Sequence, residues 1–303
     1  MKYILSNPNL ADRSQVEITK DQYSAVLEAR NCLVHTRDLE EKFAYMVDNY
    51  FELENDALYH TLYHSMHPSR PSAEGVSDIH LFNRRIINLL TTTRLFFDHT
   101  KRHLGAMNIG NLKDDFIAAT NRAYDGNFAY RLLEALRNHV QHRGLPLMGI
   151  TRIDELNRSN PKNSFSELTV RFQLDIKGLL EDPDFKTTVA NELQTFGVDS
   201  IDLRPLIRKY VELIAVCNSV IRDQVCDSIE IWRKTISDTI ELFSTSDKTM
   251  ARGVKVRIID SAEFSDGFLI HTVVAERIDR LRDLYSQLEF VSQRFVTANP
   301  LGE

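Results

Sequence analysis

Apolar residues recur at intervals of three and four along most of this chain, the spacing that lines one face of an α-helix. Thr19 and Gln22 have capping-box spacing, so a helix is predicted to start there and run to about Tyr63 without Pro or Gly. Its apolar positions do not keep to one stripe. Tyr23, Val26, Leu27, Leu33 and Val34 share an arc, whereas Leu39, Phe43, Met46 and Tyr50 lie roughly opposite. Either the helix breaks near His35–Asp38 or it is buried differently at its two ends. Ahead of it, residues 1–18 read as a short strand or extended arm, with Tyr3, Ile4 and Leu5 before the turn-like SNPN.

MHPSRPSAEG (66–75) is a loop by composition. Ser77 or Asp78 is placed to cap a second long helix reaching about His103, and LGAMNIGN (104–111) is the next break. A short helix over 113–123 and another over 128–142 follow, the latter stopped by RGLP (143–146). Alternation then changes to period two. GITRIDEL and FSELTVRFQLD predict a β-hairpin over 149–175, joined through NRSNPKNS. DPDFKTTVANELQTFG predicts a capped helix ending at Gly197. A helix of about forty residues is predicted over 203–243, with Pro205 tolerated in its first turn. VKVRIID (254–260) is a strand candidate, FLIHTVV is a weaker one, and the last helix is predicted over 273–296.

The expected fold class is mainly α, a helical bundle with long helices and a small β element. Its divisions are a helical bundle over 1–147, a hairpin insertion over 148–177 and a long-helix region over 178–303, which shares a domain with the first part or forms its own. Composition agrees, because 11 Gly and 8 Pro in 303 residues are too few for an all-β sandwich or propeller. No apolar run approaches the length of a membrane span. Cys32, Cys217 and Cys226 are too scattered for a disulfide framework, and the opening MKYILSNPNLADRS lacks a signal peptide's apolar core, so a cytoplasmic location is expected. The net charge of -6 argues against a generally basic nucleic-acid binder and confines any such binding to a local site.

The segment with candidate chemistry is RLLEALRNHVQHRGLP, 131–146. On a helix, Leu132, Leu133, Leu136 and Val140 gather on one arc, and Glu134, Arg137, Asn138, Gln141 and His142 on the other. His142 and Arg143 fall at the helix C-terminus, where the macrodipole favours cations. Arg137, Asn138 and His142 form an Arg-Asn-x-x-x-His pattern that resembles the signature of the HEPN superfamily of compact helical domains, many of them metal-independent ribonucleases. The resemblance implies an endoribonuclease of toxin–antitoxin or phage-defence type. His142 would move the proton of the RNA 2′-hydroxyl, Arg137 would hold the phosphate, and Asn138 would orient His142 or bind the phosphate. It also implies a homodimer that joins two motifs across one cleft, RNA as substrate, and an antitoxin or other partner protein. A non-catalytic interaction or dimerisation module with the same fold is the alternative.

Arg30 and His35 repeat the pattern in RNCLVH (30–35), but Arg30 projects from the arc of Tyr23, Leu27 and Val34, which points to a role at the core edge. Glu134, Gln141, Arg143, Arg30 and His35 are therefore secondary candidates. Arg94 and His99 share the spacing without the Asn and read as structural. His60, His64 and His67 share a helix face, as do His99 and His103, a spacing suited to metal ligation. No acidic ligand stands at helical spacing among them, so no metal and no other cofactor is assigned. Gly-rich phosphate loops and nucleophile elbows are absent from the sequence.

Overall fold

The computed structural model describes residues 1–8, 14–67, 73–157, 165–247, 253–260, 263–264, 267–294 and 296. In chain order these form β1 (Lys2–Ser6), β2 (Gln15–Ile18), α1 (Lys20–Met66), α2 (Ala73–Met107), α3 (Leu112–Gly126) and α4 (Phe128–His142). There follow β3 (Leu147–Asn157), β4 (Phe165–Asp175), α5 (Ile176–Glu181), α6 (Thr187–Gln194), β5 (Ser200–Asp202) and α7 (Leu203–Asp247). The chain ends with β6 (Gly253–Asp260), β7 (Glu263–Phe264), β8 (Phe268–His271), α8 (Val273–Leu284) and a 3-10 turn at Val291–Gln293. The protein is mainly α with a minor β component.

It forms two compact units, each drawn from three stretches of chain. The first comprises Met1–Lys42, Asp98–Asp115 and Ser219–Ser286. Its sheet has the order β2-β1-β6-β7, with β8 also paired to β6, and every pairing is antiparallel. Ile4, Leu5, Val254, Val256 and Ile270 on the strands and Val26, Leu33, Ile278 and Leu281 on the helices are buried here. The second unit comprises Phe43–Phe97, Phe116–Asn218 and Gln287–Glu303. It carries the antiparallel sheet β3-β4-β5. Its core is aromatic: Phe82 meets Phe172 at 4.6 Å between ring centroids, and Phe43 meets Phe96 at 5.6 Å.

The capping box at the start of α1 forms as the spacing predicts. Gln22 Oε1 accepts from the Thr19 amide at 2.9 Å, and Thr19 Oγ1 accepts from the Gln22 amide at 3.1 Å. No break occurs at His35–Asp38; α1 is continuous, and its buried seam runs through this point past the polar Thr36 and Glu40. The predicted start of α2 is corrected. The helix begins at Ala73, and Asp78 does not cap it, because its carboxylate is buried against Arg152, His60 and His64. α2 ends inside the expected break, at Met107, where Asn108 turns left-handed at φ 50°. The last helix stops at Leu284 rather than near 296. Tyr285 leaves the helical conformation, its side chain is buried and its carbonyl accepts from Arg222. FLIH is a strand, and α5, capped by Asp175 accepting from the Gly178 amide at 3.0 Å, has no counterpart in the periodicity. α6 lacks the side-chain cap expected for it, and Gly197 three residues beyond it is left-handed at φ 63°. The loop segments at 68–72 and 158–164 lie outside the described residues.

Candidate functional site

α4 belongs to the second unit and is positioned by its apolar face. Ala129, Tyr130, Leu132, Leu133, Ala135 and Leu136 are buried, whereas Val140, expected on the same arc, is only half-buried. The helix stops where its sequence says it should. The Arg143 amide closes the last turn onto the His139 carbonyl at 2.8 Å, and Arg143 itself leaves the helical region at φ -133°. Gly144 then passes close to His139: a Cβ at that position would stand 3.2 Å from Nε2. The exit is fixed by Asn83 of α2, whose buried Oδ1 accepts from the Leu147 amide at 2.9 Å.

A cleft of about 490 Å³ opens beside this end of α4. One wall is Ala135, Asn138, His139, His142 and Arg143, and the other is the α5–α6 connection with Asp182, Asp184, Phe185 and Lys186. Asn138 and His142 are exposed. His139 is not; its Nδ1 lies 2.7 Å from Asp182 Oδ2, and both side chains are about nine-tenths buried. A carboxylate at that distance favours the proton on Nδ1 and fixes the ring orientation. Arg143 pairs with Asp184, and its Nε lies 3.9 Å from Asp182 Oδ1. Lys186 is exposed, donates to the Tyr124 hydroxyl and lies over the Tyr124 ring at 4.6 Å.

The structure thus brings Asn138, His142 and Arg143 to one cleft. Arg137 and Gln141 are not among its walls. Gln141 is exposed, and the Arg137 side chain is only 12% exposed, with Nε 3.7 Å from Glu134 and no hydrogen-bond acceptor for that buried atom. Glu134 accepts from the Tyr210 hydroxyl at 2.5 Å. Burial, and after it the Glu134 carboxylate, raise that hydroxyl well above its ordinary range, so it remains a donor. No known protein family, curated protein or solved structure matches this chain. The cleft offers an exposed imidazole and amide on one helix face, a carboxylate-held imidazole beside them, and cations at the rim.

Sequence reasoning missed His139 and Asp182. His139 stood inside the motif, but its carboxylate lies on another element, and no spacing along the chain announces that pair. Arg30 and His35 are in the first unit and do not line the cleft at the end of α4. The Arg30 guanidinium donates to Asn31 at 2.9 Å and lies 5.9 Å from the Phe268 ring centroid, and His35 Nδ1 contacts His103 Nδ1 at 2.9 Å. Among the described residues no helix is long and apolar enough to cross a membrane.

Proposed function

We propose that this chain is a metal-independent endoribonuclease of the HEPN type, a toxin or phage-defence effector whose cleft at the end of α4 takes an RNA phosphodiester. The observation that carries the proposal is the exposure of His142 and Asn138 on one cleft wall with Arg143 and Lys186 beside them. RNA brings its own nucleophile. Imidazole is the side chain that exchanges protons near neutral pH, so His142 takes the proton as the 2′-oxygen attacks phosphorus. The bond to the 5′-oxygen breaks, and that oxygen needs a proton in return. In a homodimer with α4 at the interface, the second copy's imidazole is the group to supply it. The products are a 2′,3′-cyclic phosphate and a 5′-hydroxyl. Arg143 and Lys186 are the exposed cations placed to meet the phosphate, while Arg137 braces the helix face through Glu134.

The test compares the wild type with His142→Ala on RNA in the presence of a chelator. The wild type should cut, leaving cyclic-phosphate ends, and the variant should cut about 10²-fold more slowly or worse. Equal cleavage by the two overturns the proposal. The largely buried Arg137 side chain and its contact with Glu134 favour a second reading, a non-catalytic interaction module. That reading requires that neither protein cuts RNA and that Arg137→Ala lowers the mass of the oligomer in solution.

A further inference from the structure

α1 and α2 bring His60, His64 and Asp78 together in the second unit, with one donor atom of each within 4.8 Å of the others. His60 Nδ1 lies 3.4 Å from Asp78 Oδ1, and His64 Nε2 lies 3.3 Å from Asp78 Oδ2. Zinc bonds of ~2.0–2.1 Å in a tetrahedron put neighbouring donors ~3.3–3.4 Å apart, and each imidazole stands at about that distance from one or other oxygen of the Asp78 carboxylate. The helical spacing offered His67 as the third member, but His67 is exposed. Its ring stacks on Tyr63 at 4.4 Å, and its Nδ1 lies 3.0 Å from the Tyr63 carbonyl. The carboxylate comes from α2 instead, from the residue that the sequence marked as a helix cap.

Burial distinguishes this cluster from a surface pair. Asp78 and His64 are each 6% exposed, and His60 is held edge-on against Phe82 at 5.2 Å. Arg152 Nη2 binds Asp78 Oδ2 at 2.8 Å, which orients the carboxylate and presents Oδ1 on the His60 side. Such an outer partner is what a ligating carboxylate ordinarily has. The cluster opens onto a cleft of about 660 Å³ lined by Tyr59, Tyr63, His80 and Arg84, among others.

We propose that His60 Nδ1, His64 Nε2 and a carboxylate oxygen of Asp78 bind one divalent ion of the zinc class, with its fourth position open to this cleft. Three protein ligands and an open position are the pattern of a reactive zinc site rather than a closed structural one. None of these residues lines the cleft at the end of α4, and the proposal does not depend on nuclease activity.

The test uses untagged protein freed of metal by chelation and titrated with Co²⁺, which gives strong visible bands in a four-coordinate site. The wild type should saturate at one equivalent, lose the bands when Zn²⁺ is added, and unfold at a higher temperature with Zn²⁺ than without it. His60→Gln and Asp78→Asn should abolish the bands and the shift, whereas His67→Gln should keep both. A wild type that binds neither ion overturns the proposal, a result that needs no variant to fold. Bands that survive His60→Gln overturn it as well.

Discussion

His103 and His35 meet through their Nδ1 atoms, so one ring must hold the proton that the other accepts. Burial first, and the neighbouring His35 second, pull the His103 pKa down to about 4; Asp38 opposes this, while Arg102 and His99 reinforce it. An unfolded histidine titrates near ~6.5. Between those values the unfolded chain binds more protons than the folded one, so this pair's stabilisation is complete above pH ~6.5 and falls as the pH drops towards 4. His103→Gln keeps a hydrogen-bonding group without the titration. Urea midpoints of this variant should fall less than those of the wild type between pH ~7 and ~4. The same contact engages His35, the histidine of the second Arg-Asn pattern in the chain, with His103.

α1 shows what a helix conceals when only its apolar residues are read. Its buried seam follows a heptad rhythm through Val26, Ala29, Leu33, Thr36, Glu40, Phe43, Val47 and Tyr50, and the half-buried Glu54 continues it to Ala57. The seam residues beside the apparent break are the polar Thr36 and Glu40, which is why the apolar stripe looks discontinuous there, and a second glutamate, Glu54, stands farther along. In the first unit Glu40 receives Arg222 and Arg282 at 2.6 and 2.7 Å. In the second, Glu54 receives Arg204 and Arg208, both at 2.6 Å. Burial raises the Glu54 carboxyl, but hydrogen bonds from the two arginines outweigh it and hold the group below its ordinary value. Removing one partner of such a cluster leaves uncompensated charge, so Glu40→Gln should lower the unfolding free energy from urea titration by about 3–5 kcal/mol. Elsewhere the elements were legible where local chemistry fixes them. The Thr19–Gln22 cap, the span of α4 and its stop at RGLP, and the hairpin of β3 and β4 all carry local signals. The end of α8 and the start of α2 did not, because Tyr285 and Asp78 take tertiary partners with no trace in the spacing. In the cleft, Asn138 and His142 were legible as one helix face, whereas the Asp182 partner of His139 was not.

At the scale of the molecule, a net charge of -6 means that any RNA is held by few cations. Single-stranded binding then has a shallow salt dependence, with a log-log slope of about -0.7 for each phosphate contact. Measured with the His142→Ala protein, Lys186→Ala should make that slope shallower by about 0.7, and an unchanged slope would remove Lys186 from the binding surface. The sheet of the first unit has a consequence of another kind, in the order of synthesis. β1 pairs with β6 in the register Lys2 to Ile259. At ~5–20 residues per second, roughly 10–50 s separate the making of one strand from that of the other. Over that interval Ile4 and Leu5, which end buried, have among the described residues only the short β2 as a strand partner. Over those seconds the growing chain therefore carries an open, apolar strand edge, the kind of edge that a chaperone shields or a neighbouring nascent chain captures.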